Sequence, residues 1–284
     1  MTRLAVISFA FGAAAMGLAS TPALAQSRDT LSKAPAADAP AQAAPQPDSR
    51  AAPGATIVVV DSTRHVAKID VSSLTVKVIG QSSQGLTDIA FNPVNHKLYG
   101  ISYNALYEVP ITTLQARLIA RLGTNDANAL VFDSAGTAYF AGYQSNRLYK
   151  VNVNTGRVSV VGFTGQYYSA GDLTFYNDGL VMSAVKTTNP NNSTANYLVT
   201  LNPANAAIVG QPAVLGIHNV YGLASTGKNE LYGLAVIGTS NTPALYQLFP
   251  AAASVLNRDT LLRNLSGRGL SLVIGTAYNG NFQP

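Results

Sequence analysis

A stretch of about 40–50 residues recurs along this chain, and it limits the possible folds more than any other feature. One copy, LTDIAFNPVNHKLYGISYNALYEVPITTLQARLIARLG, runs from Leu86 to Gly123. The next, NALVFDSAGTAYFAGYQSNRLYKVNVNTGRVSVVG, runs from Asn128 to Gly162. Each copy reads as an apolar strand, a turn, a strand ending in small residues, a Leu-Tyr strand, a second turn and a short strand ending in Gly. Ile89-Ala90-Phe91 aligns with Leu130-Val131-Phe132 and with Leu173-Thr174-Phe175, and a later copy opens at Tyr221-Gly222-Leu223-Ala224. The third strands echo one another as ALYEVPITT, RLYKVNVNTG, NYLVTLNPAN and ALYQLFPAA.

Four short strands per unit, repeated, is the pattern of a radial β-propeller. The expected fold class is therefore all-β, a β-propeller of five four-stranded blades. The blades are assigned to 56–80 plus 267–278, 86–123, 128–162, 170–215 and 220–266. Residues 56–80 hold only three strands, and GRGLSLVIG (267–275) resembles the missing inner strand. Pairing of the N- and C-terminal strands would close the ring and remove exposed sheet edges. Six blades, or an open arrangement, are the alternatives, because insertions near Asn189–Thr194 and Thr239–Pro243 have room for a degenerate unit. With only 11% charged residues but 24 Gly, the composition suits many tight turns. The chain has no cysteine, so the fold must be held by packing and hydrogen bonds alone.

Ahead of the repeats lie two segments of different character. Residues 1–25 read as a signal peptide: Arg3 is the basic start, Leu4–Ala19 the apolar run, and Ala23-Leu24-Ala25 a small-x-small site with cleavage expected after Ala25. A membrane anchor is the competing reading, but the run is short for a stable span. Residues 26–54 are rich in Ala, Pro, Gln and Asp and nearly free of bulky apolar residues, which predicts a disordered linker. Residues 55–284 form the propeller domain. The expected location is exported: periplasm, cell surface or medium. The formal charge of +5 is spread without a run or stripe, which argues against nucleic acid as a partner. An envelope protein or a carbohydrate is the expected kind of partner.

The unit resembles the secreted bacterial propeller repeats of the surface-antigen-like and quinoprotein-like group, with a more distant likeness to gluconolactonase-type propellers. The resemblance covers roughly 56–278 and is carried by Phe91-Asn92-Pro93, Leu98-Tyr99-Gly100, Leu148-Tyr149-Lys150-Val151-Asn152 and Thr155-Gly156. It implies architecture and is nearly silent on ligand. Gluconolactonase-like enzymes hold a metal on Glu, Asn and Asp from inner strands; no Glu occupies such a position here.

Groups able to do chemistry are few. His65 and His96 fall at turns and read as solvated, while His218, just before Tyr221, could face the axial mouth. Glu108 and Glu230 are the two glutamates, and both map away from the axis. Asp88 and Asp172 hold equivalent positions at the start of inner strands and should converge on the channel, with Asn128 nearby. Oxygen ligands of this kind suit calcium, the one candidate cation, held on Asp88 and Asp172. The competing reading is that these side chains bond neighbouring backbone. No other cofactor is expected: no nucleophile elbow and no phosphate loop occurs. Tyr167 and Tyr168 form an aromatic pair leading to Asp172, suited to sugar or peptide recognition if exposed and to blade packing if not. Tyr99, Tyr149, Tyr232 and Tyr246 recur at matched positions and read as packing residues.

Two functions follow. The favoured one is an exported, non-enzymatic binding or interaction platform whose ligand-binding candidates are Asp88, Asn128, Asp172, Tyr167, Tyr168 and His218. The alternative is a metal-dependent hydrolase or lactonase working at the axial mouth.

Overall fold

The computed structural model describes residues 55–278, apart from 187–195, 227–229, 238–241, 250–259 and 266. The proposed signal peptide, the linker up to Gly54, the insertion at 189–194 and most of that at 239–243 lie outside the described residues. The side chains of 260–263 also lie outside the described part of the structure.

The described residues form five four-stranded antiparallel sheets. Blade 1 has Val273–Tyr278 innermost, then Thr56–Asp61, His65–Asp70 and Thr75–Gln81. Blade 2 runs outward from Asp88–Phe91 through Leu98–Ser102 and Ala105–Glu108 to Arg117–Arg121. Blade 3 follows the same plan with Ala127–Phe132, Ala138–Gly142, Arg147–Val151 and Val158–Phe163. Blade 4 uses Tyr168–Tyr176, Gly179–Val185, Tyr197–Leu201 and the two-residue outer strand Ala213–Val214. Blade 5 uses Gly222–Ser225, Leu231–Val236, Pro243–Leu248 and Thr260–Asn264. Inner strands of consecutive blades touch around the ring, and that of blade 1 contacts those of blades 2 and 5.

Ring closure takes the predicted form with one correction. The C-terminal inner strand starts at Val273, not Gly267. Residues 267–269 are a turn in which Gly267 and Gly269 have φ of 70° and 79°, backbone that cannot continue a strand. The pairing Ile57 to Tyr278 through Val60 to Gly275 joins the two ends of the chain. Asp61 adds a clasp: its Oδ2 accepts the Ser271 N–H at 2.7 Å, while Ser62 N–H donates to Leu272 O at 2.8 Å. The outer strand of blade 4 is only two residues long, with an isolated bridge at Ile208 before it.

Alternation along the strands explains why successive residues are apolar. In Thr56–Asp61, Ile57 and Val59 face blade 5, packing with Tyr232 and Leu234, while Val58 and Val60 face blade 2, packing with Ile89 and Phe91. Five hydrophobic clusters result, one at each interface between adjacent blades. Each buried Val, Leu or Ile contributes about 1.5–3 kcal/mol relative to an exposed one. The turns have their own chemistry. Asn92, Asp133, Asn152 and Asn202 each turn a side-chain oxygen onto an N–H two residues on, the short-range bond that makes Asn and Asp favoured turn formers.

Candidate functional site

Register places the inner strands level with one another. Counting back from Phe91, Phe132, Phe175, Ser225 and Tyr278, one ring of residues contains Asp88, Ala129, Asp172, Gly222 and Gly275. Two carboxyls therefore share the axis with three small residues. The small residues are required. A Cβ on Gly275 would lie 2.5 Å from the Asp88 Cα, and one on Gly222 would lie 2.3 Å from the Thr276 methyl.

The next ring outward along the strands contains Ile89, Leu130, Leu173, Leu223 and Thr276, and all five of its N–H groups donate to the two carboxyls. Asp88 Oδ1 accepts Ile89 N–H at 2.8 Å and Thr276 N–H at 3.1 Å, and its Oδ2 accepts Leu130 N–H at 2.6 Å. Asp172 Oδ1 accepts Leu173 N–H at 2.6 Å, and its Oδ2 accepts Leu223 N–H at 2.6 Å. The Thr276 hydroxyl sits 2.8 Å from Asp172 Oδ2 and 2.7 Å from the Leu223 carbonyl. Asp88 thus ties blade 2 to blades 3 and 1, and Asp172 ties blade 4 to blades 5 and 1.

Both carboxyls are fully buried and hydrogen-bond each other. Burial, followed by the charge of Asp172, holds Asp88 well above the usual carboxylate range. Burial also raises Asp172, to about 8, against the opposing pull of its amide and hydroxyl donors. The pair thus holds protons more readily than solvated aspartates do. Its four oxygens already take N–H donors, so a cation at this point would meet the positive ends of five amides. That donor set does not suit calcium. Among the described residues no group of three or more His, Asp or Glu side chains is arranged to hold a metal.

Beyond this clasp, toward the strand starts, the channel opens into a mouth of about 310 Å³. Its walls are Thr87, Asn128, Gly171, Tyr221 and Ile274, one from each blade, with Tyr103, Tyr143, Ser169, Ala170 and Leu272 around them. Tyr103 and Tyr143 directly follow the second strands of blades 2 and 3 and meet at 5.7 Å between ring centres, tilted by 60°. Asn128 Nδ2 donates to the Ser169 carbonyl at 3.3 Å, bridging blades 3 and 4, while its buried Oδ1 has no partner among the described residues. At the other end a narrower space of about 150 Å³ is lined by Phe91, Phe132 and Phe175.

The structure brings Asp88, Asp172 and Asn128 to the axis, as their spacing suggested, but separates their roles. Asp88 and Asp172 lie beneath the mouth, and Asn128 lines it. Tyr167 is not an exposed platform: it is buried between blades 3 and 4, edge-on to Tyr197 at 5.4 Å, with the Lys186 ammonium 5.4 Å from its ring centre. Tyr168 is half-buried in the inner strand of blade 4, and His218 is exposed in a bend; neither lines the mouth. His65 is bonded to Asp61, and Glu108 is held by Lys97 and Arg117. Tyr99, Tyr149, Tyr232 and Tyr246 are buried, Tyr99 against Phe132 of the next blade at 5.1 Å. Sequence reasoning missed Tyr103, Tyr143 and Tyr221. The matched positions of Tyr103 and Tyr143, each just after a second strand, were the available signal.

Fold and site together define a five-bladed β-propeller with a carboxyl-clasped axis. No protein-family model matches the chain, and no curated protein does. Among solved structures it is similar to a chain in the nidogen/laminin complex, at 14% identity, over 78% of this chain and 84% of that one, with a TM-score of 0.49. It is also similar to hydrazine synthase of Kuenenia stuttgartiensis, at 15% identity, over 73% of this chain and 66% of that one, with a TM-score of 0.44. A protein of unknown function from Bacteroides caccae is similar at 10% identity, over 79% of this chain and 98% of that one, with a TM-score of 0.46. Likenesses this distant carry no argument about ligand or activity.

Proposed function

We propose that the chain is an exported, non-enzymatic binding platform that presents the mouth of its propeller to a ligand. One observation carries this reading. The two carboxyls best placed for chemistry on the axis are consumed in holding five backbone amides, one from each blade. A general acid or base needs reach to a substrate proton, and a metal ligand needs a free lone pair. Asp88 and Asp172 lack that reach, and each of their oxygens already accepts at least one N–H. The leader-like residues 1–25 and the Pro/Ala-rich 26–54 support export and a flexible tether. The repeat's resemblance to secreted surface-antigen-like propellers fits the same reading.

The test is thermal unfolding of the purified full chain with EDTA and with calcium, together with a turnover assay on lactones and glycosides. The expected result is an unchanged midpoint and no turnover. A ligand at 100 times its dissociation constant adds about 2.7 kcal/mol, roughly 5–10 °C for a domain of this size. A calcium-dependent rise of that order, with lactone turnover lost in Asp88→Ala, would establish the hydrolase instead.

A further inference from the structure

We propose that the axial mouth is a subsite for one neutral pyranose unit of a glycan, stacked on Tyr103 and Tyr143 and hydrogen-bonded to Asn128. The inference deepens the platform reading and rests on it.

Charge comes first. Among the described residues the mouth is lined by Thr87, Asn128, Ser169, three tyrosines and small or aliphatic residues, without one charged side chain. An anionic or cationic ligand would lose hydration there and gain no counter-charge. Size comes second. A cavity of about 310 Å³ is at the small end of ligand sites, enough for one sugar ring or two and too small for a folded partner's surface. Shape comes third. Tyr103 is 52% exposed although its ring leans on Tyr143, so one aromatic face is left open to a flat C–H surface. Tyr221 lines the same mouth from blade 5, and burial raises its phenol pKa.

The polar pattern decides between a sugar and an apolar side chain. Asn128 is anchored through Nδ2 to the Ser169 carbonyl and keeps an unpaired acceptor, Oδ1. An apolar group in the mouth would leave that oxygen without a partner. Oδ1 is itself closed off from the mouth, so a sugar hydroxyl, or the N–H of an acetamido sugar, supplies its donor when the Asn128 amide turns outward and gives up the Ser169 bond. The Thr87 hydroxyl does not compete, because it is committed to the Ala127 carbonyl at 2.9 Å and the Ile101 carbonyl at 3.2 Å. Asn128 is thus the residue that would select a donor-bearing ligand, and the tyrosines supply contact area.

The experiment is titration calorimetry of the full chain with methyl glucoside, N-acetylglucosamine and their β-linked dimers. Glucuronic acid, glucosamine and N-acetyl-phenylalanine amide are the contrasting probes. Tyrosine emission is a second readout, since the chain has no Trp to mask it. Binding of at least one neutral sugar is expected, with affinity lowered tenfold or more in both Tyr143→Ala and Asn128→Leu and the unfolding midpoint of each near wild type. Neutral sugar binding that both variants leave intact would overturn the site. Binding of the phenylalanine amide or a charged sugar alone, lost in Tyr143→Ala, would overturn the sugar class while leaving a platform in place. Silence across the panel would overturn the inference without touching the calcium and turnover result. Hydrolysis of a bound glycoside would overturn the platform itself.

Discussion

Two levels of one channel, a few residues apart along the inner strands, treat polar groups in opposite ways. At the clasp, five amides, one hydroxyl and two carboxyls satisfy one another completely. At the mouth, one amide oxygen is unpaired and an aromatic ring is half uncovered. Buried polar groups that satisfy one another hold a structure together; an unsatisfied one beside open aromatic surface is where a ligand gains by arriving. The residues with the most chemistry, the aspartates, thus belong to the architecture. The site falls to residues with less.

The sharpest way to break this contrast is to remove the clasp. Asp88→Ala leaves the N–H groups of Ile89, Leu130 and Thr276 without their acceptor and isolates Asp172. A loss of about 3–5 kcal/mol is expected in chemical denaturation, with a midpoint roughly 6–20 °C lower. A loss under about 1 kcal/mol would show that the carboxyl is dispensable. Gly275→Ala attacks the same level sterically. Its new methyl would meet the Asp88 backbone at 2.5 Å, so about 2–3 kcal/mol should be lost, measured the same way.

A third test uses protons. A carboxyl whose pKa is raised by folding contributes its stability fully below the ordinary value of 3.8 and loses it as pH climbs through the raised value, about 8 for Asp172. Asp61, Asp70 and Glu108 act in the opposite sense. Their pKa values are lowered, so their contribution is present above the ordinary range and lost as pH falls. At Asp61, burial alone would raise the pKa, and the donors from Ser271, Thr63 and His65 outweigh it. Stability should therefore decline through the clasp as pH rises from about 4 to about 8, by at most about 1.4 kcal/mol per pH unit for each retained proton. Asp88→Asn should flatten that decline and leave the acid arm alone. The smallest effect belongs to the mouth. Tyr103→Ala touches one half-exposed ring and should cost under about 1 kcal/mol, visible as a midpoint shift of a few degrees or less.

Much of the architecture was legible in the sequence because a repeat averages out local ambiguity. The three Phe-ended inner strands fixed the register, and that register alone put Asp88 and Asp172 on one axis. The start of the closing strand was misplaced because Gly267 and Gly269 look like strand flanks in sequence, and only their positive φ shows the turn. Tyr167 and Tyr168 drew attention as a pair, yet Tyr167 is buried between blades just before the strand that Tyr168 opens, so adjacency said nothing about a shared surface. Tyr103 and Tyr143 lie forty residues apart in sequence and meet only because adjacent blades bring equivalent turns together. That the aspartates bond backbone was one of the two readings the sequence offered, and spacing alone could not choose between them, since backbone amides carry no signature in residue identity.

The most direct measurement is amide hydrogen exchange at Ile89, Leu130, Leu173, Leu223 and Thr276. If the carboxyls clasp the blades, these five amides exchange only through global unfolding, and Asp88→Asn speeds Leu130 and Thr276, in blades on either side of the substitution. Five amides exchanging independently by local opening, and indifferent to Asp88→Asn, would contradict the clasp and return both carboxyls to the list of groups free for chemistry.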